Sequence, residues 1–138
     1  MSLKSSTKKS AKSLWNAFPL IVGTILLVSL ITTLVPKSFY LKIFSKSTIL
    51  DSFIGSLIGS ISAGNPIVSY VLAGELLNEG ISLIAVTAFL VSWVTVGIIQ
   101  LPAESAILGK RFAFLRNITS FGLSIIVAII TVSILQVI

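Results

Sequence analysis

Apolar residues run along this chain in long blocks, not in the short alternation of a half-buried strand or the narrow stripe of a soluble helix. The first block, Leu14–Val35, has roughly 22 residues and would reach about 33 Å as a helix, enough for a hydrocarbon core of about 30 Å. Ile81–Leu101 and Ile118–Ile138 are two further blocks of spanning length. Between them, Ser52–Leu77 is just as apolar but is cut at Ser62-Ala63-Gly64-Asn65-Pro66. Its two pieces, Ser52–Ala63 and Pro66–Leu77, would each reach only about 18 Å, so neither spans alone.

That cut is the most informative feature of the pattern. Pro66 has no N–H to give, Asn65 is pushed away from helical geometry as the residue before a proline, and Gly64 tolerates most backbone angles. Backbone groups in lipid must be hydrogen-bonded internally. Irregular main chain at membrane depth is therefore stable only when buried in protein or lining a wet cavity, and discontinuous helices are where transporters place their binding sites.

The connecting pieces fit the same frame. Residues 1–13 are rich in Ser and Lys and read as a disordered tail or one lying on head groups. Residues 36–50 place Phe39, Tyr40, Ile43 and Phe44 on one helical face and Lys42 and Lys46 on another, the pattern of an interfacial helix. A plain loop is the alternative there. Residues 102–116 read as a short helix with Pro102 as its first residue. A cleaved signal peptide is the rival for the first block. Its apolar core would be shorter, and Val35-Pro36-Lys37 is no small-residue cleavage site. Gly55 and Gly59 form a Gly-x-x-x-Gly, extended by Ser52, Ser56, Ser60 and Ala63, which predicts close helix packing in lipid.

Composition agrees. Of 138 residues, 55% are hydrophobic and only 10% charged, against about 25% charged in an ordinary soluble domain. The mean hydropathy is +1.10. The expected fold is all-α, a polytopic integral membrane protein with about three full spans plus a broken or re-entrant helical hairpin, in one membrane domain over 1–138. With neither Cys nor His, the chain excludes disulfides, thiolate metal sites and imidazole acid–base chemistry. No metal site and no cofactor are expected. No nucleophile has a partner base, so no enzyme is expected.

Charge placement decides how the cut segment is threaded. The net charge is +6, and a nucleic-acid partner would need a soluble basic face that the pattern does not offer. A re-entrant hairpin with the amino terminus inside puts Lys4, Lys8, Lys9, Lys12, Lys110, Arg111 and Arg116 inside and Lys37, Lys42 and Lys46 outside. That is seven to three, in keeping with the positive-inside rule. A kinked crossing gives four to six, or six to four when flipped with the lysine-rich amino terminus outside, so the re-entrant threading is preferred. The cell membrane is the expected location, with a cytoplasmic amino terminus.

Candidate chemistry gathers at the cut. A helix starting at Pro66 would point free N–H groups at the break and attract an anion. Asn65 adds an amide, and Ser62 and Ser69 add hydroxyls. Gly64, Asn65, Pro66, Ser62 and Ser69 are thus the candidate solute-binding residues. Glu104 and Glu75 are candidates for ion coupling; the bland alternatives are an interfacial Glu75 and a Glu104 that steadies a helix start. Asn117-Ile118-Thr119 matches a glycosylation acceptor but abuts the membrane, so it is discounted.

Ser62-Ala63-Gly64-Asn65-Pro66, Ser69-Tyr70, Leu76–Gly80, Ala88-Phe89-Leu90, Thr95, Leu101-Pro102-Ala103-Glu104 and Leu108-Gly109-Lys110-Arg111 together resemble the predicted-permease family that includes the organoarsenical efflux permeases. The resemblance covers about residues 55–117. Family members are about twice this long, with two related halves, so it implies a half-size permease that pairs with a second copy. Arsenic-handling members carry cysteines just after the proline. Ile67, Val68 and Ser69 stand there instead, so thiol recognition of trivalent arsenic does not carry over and the substrate is open. The expected function is a homodimeric permease moving a small polar or ionic solute by alternating access or a gated pore, driven by a gradient, with lipid as its surroundings. A non-transporting scaffold or accessory subunit, or an ion channel, is the alternative.

Overall fold

The computed structural model describes residues 3–34, 36–44, 47–62 and 66–137, and every regular element among them is a helix. The chain divides into two units, Met1–Val35 and Pro36–Ile138. The first is a single helix, α1 (Leu3–Leu34), with Pro19 inside it. Its start lies well before the expected Leu14. Lysine and alanine are good helix formers, and no Gly or Pro stops the helix in that stretch. Trp15 and Phe18 stack one turn apart at 6.4 Å between ring centroids.

The second unit holds α2 (Lys37–Ile43), α3 (Thr48–Ile61), α4 (Pro66–Asn78), α5 (Leu83–Thr95), α6 (Leu101–Leu108) and α7 (Lys110–Leu135). Along α3 the burial pattern is inverted relative to a soluble protein. The inward face of α3 is Asp51, Ser52, Gly55, Ser56, Gly59 and Ser60. Its outward face is Phe53, Leu57, Ile58 and Ile61, all 41% or more exposed. Small residues inside and large aliphatic residues outside are what helix packing in lipid favours, because hydrocarbon around the bundle is as apolar as leucine.

The glycine motif sets the distance between α3 and α5. A Cβ on Gly55 would run into the Ala85 carbonyl, and one on Gly59 into the Ser92 hydroxyl and the Phe89 carbonyl. The buried serines are quiet partners. Ser52, Ser60, Ser92 and Ser124 each donate to a carbonyl one turn back in their own helix. Ser56 and Ser124 also meet across the α3–α7 contact at 2.9 Å. Phe53 and Phe121 close the same contact edge to face.

These contacts give the directions of the helices. Asp51 meets Ser82, Gly55 meets Ala85, and Gly59 meets Phe89 and Ser92, so α3 and α5 run parallel. The intervening α4 must therefore run back. It ends in a Schellman turn: Gly80, with φ of 87°, donates to Leu77, and Ile81 donates to Leu76. Only a residue without Cβ takes that angle cheaply. Leu76 and Ile81 then pack with Phe44, Ala73, Ala85 and Val86. The final helix, α7, runs antiparallel to α5, since Asn117 lies at Gly97 while Ala128 and Val132 pack on Ile84 and Ala88.

Three further boundaries differ from expectation. The block Ile81–Leu101 is helical only over Leu83–Thr95, about 20 Å. Its helix stops because the Gly97 N–H goes to a side chain of another helix, and Pro102 follows close behind. The expected short helix over 102–116 is split at Gly109, whose φ of 89° ends α6 and begins α7. The residues 110–117 consequently belong to the long final helix. The interfacial helix is also shorter than expected, with Phe44 just beyond it buried in the core. By length and apolarity, Ser6–Leu27 in α1 and Lys110–Leu135 are the two stretches among the described residues able to cross a membrane.

Candidate functional site

Two interruptions of the chain end at the same level of the bundle. The first follows α3: Ser62 is extended, with ψ of 135°, and its N–H closes on Ile58 and Gly59. The second follows α5: Val96 is extended, and 98–100 form a turn before α6. Because α3 and α5 are parallel and nearly equal in length, both reach their ends together. Ser62, Trp93, Gly97, Gln100 and Arg116 line one small cavity of about 50 Å³ between them. That is room for a few waters. On the other side, Leu57, Ser60, Val96, Asn117 and Phe121 line an apolar cavity of about 250 Å³.

Asn117 ties the second interruption to α7. Its Oδ1 accepts the Gly97 N–H at 2.8 Å. Its Nδ2 donates to Glu104 Oε2 at 3.1 Å and to the Ala113 carbonyl at 2.9 Å. With Oδ1 facing a donor and Nδ2 facing two acceptors, the amide has one orientation. The other Glu104 oxygen receives Arg116. Thus one buried side chain, 5% exposed, satisfies the backbone left open where α5 stops and anchors the start of α6. Replacing Glu104 with Gln keeps an acceptor for Asn117 but removes the charge facing Arg116. Because Arg116 is partly exposed, about 1 kcal/mol of stability should be lost, read as a modest drop in melting temperature.

The structure brings together some of the sequence candidates. Ser62 lines the small cavity and donates to Ile58 at 2.8 Å. Glu104, through Arg116 and Asn117, borders the same region. Pro66 is exposed and opens α4. Ser69 is buried one turn on, its hydroxyl donated to the Pro66 carbonyl at 2.7 Å. Gly64 and Asn65 lie outside the described residues. Glu75 sits about 14 Å along α4 from Pro66, half-buried, and is not brought to the interruption.

Two polar residues have roles that the sequence pattern does not show. In sequence Asn117 reads only as a glycosylation acceptor; it is buried and its amide is fully engaged, so no glycan is attached there. Asp51 is 1% exposed. It lies in the first turn of α3 and accepts the hydroxyl of Ser82, the N-cap of α5, at 2.7 Å. Its carboxylate thus joins two helix starts, where negative charge is favoured. It also borders a cavity of about 430 Å³ with Thr48, Ser133 and Gln136. The available signal was general: a charged or amide side chain within or at the edge of an apolar block calls for a partner.

A family model described as predicted permease matches residues 4–137, beyond the roughly 55–117 that the sequence motifs covered. No curated protein and no solved structure matches the chain.

Proposed function

The chain belongs to the predicted-permease family, and from that premise we propose a half-size, homodimeric permease whose solute site lies where the two interruptions converge. Gly64, Asn65 and Pro66 form its centre. Ser62 borders it, and Ser69 supports the first turn of α4. The observation that carries this reading is the arrival of α3 and α5 at one level of α7, with the second opening closed by Asn117 and Glu104. Paired discontinuous helices of this kind place main-chain donors and acceptors against a solute.

The helix directions support a re-entrant threading. A kinked crossing made of α3 and α4 would bring α5 back antiparallel to α3, whereas the two are parallel. In this reading α1 enters from the cytoplasm, the α3–α4 hairpin dips in from the far side, and α7 crosses outward. The second crossing is completed beyond Thr95 by the extended segment and turn over 96–100. A second copy is needed because about 50 Å³ holds no solute larger than an ion with little water. A twofold dimer is the commonest closed assembly. With no nucleotide motif in the sequence, a gradient drives transport.

Substitution of Asn65 with Leu tests the site. Purified protein in liposomes, offered labelled anions, cations and metalloids, should lose uptake at least about tenfold while keeping its oligomer. Wild-type uptake by that variant would remove the site from the 64–66 segment. Loss of the oligomer in its place would favour a scaffold.

A further inference from the structure

The groove between α6 and α7 has a different character from the cavities at the interruptions. It is a shallow, open depression of about 710 Å³, and Leu101, Pro102, Ala106 and Phe114 give it an apolar wall. Lys110 and Arg111 also line it. Both are exposed, and among the described residues neither has an acidic partner. The one carboxylate nearby in sequence, Glu104, is engaged by Arg116 and Asn117. Gly109 begins α7 without a side-chain cap, and Ala113 makes the first backbone bond, back to Gly109. The amides before it lack helical acceptors, adding positive potential beside these two cations. Lys110 and Arg111 also mark the polar limit of the apolar α7, the level at which lipid head groups lie.

We propose that this groove holds an anionic phospholipid, its phosphate on Lys110 and Arg111 and an acyl chain along Leu101, Pro102 and Phe114. Two unpaired cations over an apolar slot match an anionic amphiphile in both halves. A zwitterionic lipid would fill the slot but leave the cations unmatched, and a free phosphate would meet the cations but leave the slot open to water. The site rests on α7 crossing the bilayer, a part of the reading above, and is independent of the solute site. A bound lipid there braces α6 against α7 beside the anchor of the second interruption.

Native mass spectrometry of the full-length protein, titrated in detergent with phosphatidylglycerol or phosphatidylcholine, reads the site without any transport assay. Wild type should retain phosphatidylglycerol at least about tenfold better than phosphatidylcholine. The pair K110Q and R111Q should bring the two lipids to near parity. Ala106→Trp, which fills the groove and leaves both cations, should remove the retained lipid. The pair K8Q and K9Q, the same charge change on exposed α1 lysines, should leave the preference intact. An unchanged preference in the Lys110/Arg111 pair, an equal loss in the Lys8/Lys9 pair, or no effect of A106W would overturn the proposal. So would equal competition by glycerol phosphate without acyl chains, or crosslinking of the groove to a second copy in place of lipid. A protein that loses flux with Asn65→Leu but keeps its lipid separates this site from the solute site.

Discussion

Asn117→Leu should cut transport at least about tenfold, with the protein still inserted in the membrane. The substitution leaves the Gly97 N–H without its acceptor and removes one of the donors to Glu104. A buried donor left unpaired costs about 1–3 kcal/mol, and in lipid no water is at hand to replace the partner. The cost falls on the segment that joins α5 to α6, so the second interruption should rearrange before the rest of the bundle does. Uptake into liposomes is expected to fall at least about tenfold, with a lower melting temperature. Asn117→Asp is the discriminating companion. It keeps the acceptor for Gly97 but sets a second carboxylate against Glu104, so it should retain more stability than the Leu variant and still be impaired in flux. Full uptake by Asn117→Leu would show that the anchored interruption has no part in the pathway.

Among the described glycines, Gly55→Ala and Gly59→Ala should be the most damaging single-methyl changes. In each case the added Cβ meets atoms of α5, the Ala85 carbonyl for one and the Phe89 carbonyl with the Ser92 hydroxyl for the other. Backbone cannot swing aside as a long side chain does, so the helices must separate along their whole contact. Overpacking of this sort costs about 1–3 kcal/mol, read as a fall of roughly 5 °C or more in melting temperature. Gly74 and Gly122 supply the comparison. Both are helical, and a Cβ at either meets nothing within 4 Å. Alanine there should be neutral or stabilising by about 0.5–1 kcal/mol, because glycine weakens a helix interior. Equal effects at all four positions would mean that helix propensity, not close approach, governs the stability of this bundle.

The Gly-x-x-x-Gly was legible because its spacing leaves one face of a helix without side chains, and that face had to meet something. The serines at 52, 56 and 60 were legible as small surface for the same reason. What they do with their hydroxyls was not. A serine in an apolar block can bond its own helix, a neighbour or a solute, and Ser69 and Ser62 turn out to donate within their own turns. The early end of α5 was hidden because nothing between Val96 and Leu101 but Gly97 opposes a helix. The stop depends on Asn117, twenty positions on, capturing the Gly97 amide. Asp51 was likewise silent, since its partner Ser82 lies on the far side of the α4 excursion.

Local chemistry alone determined that the chain is helical, that it belongs in lipid, and that its main chain is cut before Pro66, because missing side chains, missing N–H groups and long apolar blocks act within a few residues. Tertiary structure decided that α3 and α5 run side by side, that two cuts share one level, and that Asn117 closes the second of them. Those outcomes depend on which distant donor finds which acceptor, and a hydrogen bond across the bundle leaves no periodic mark on the sequence that makes it.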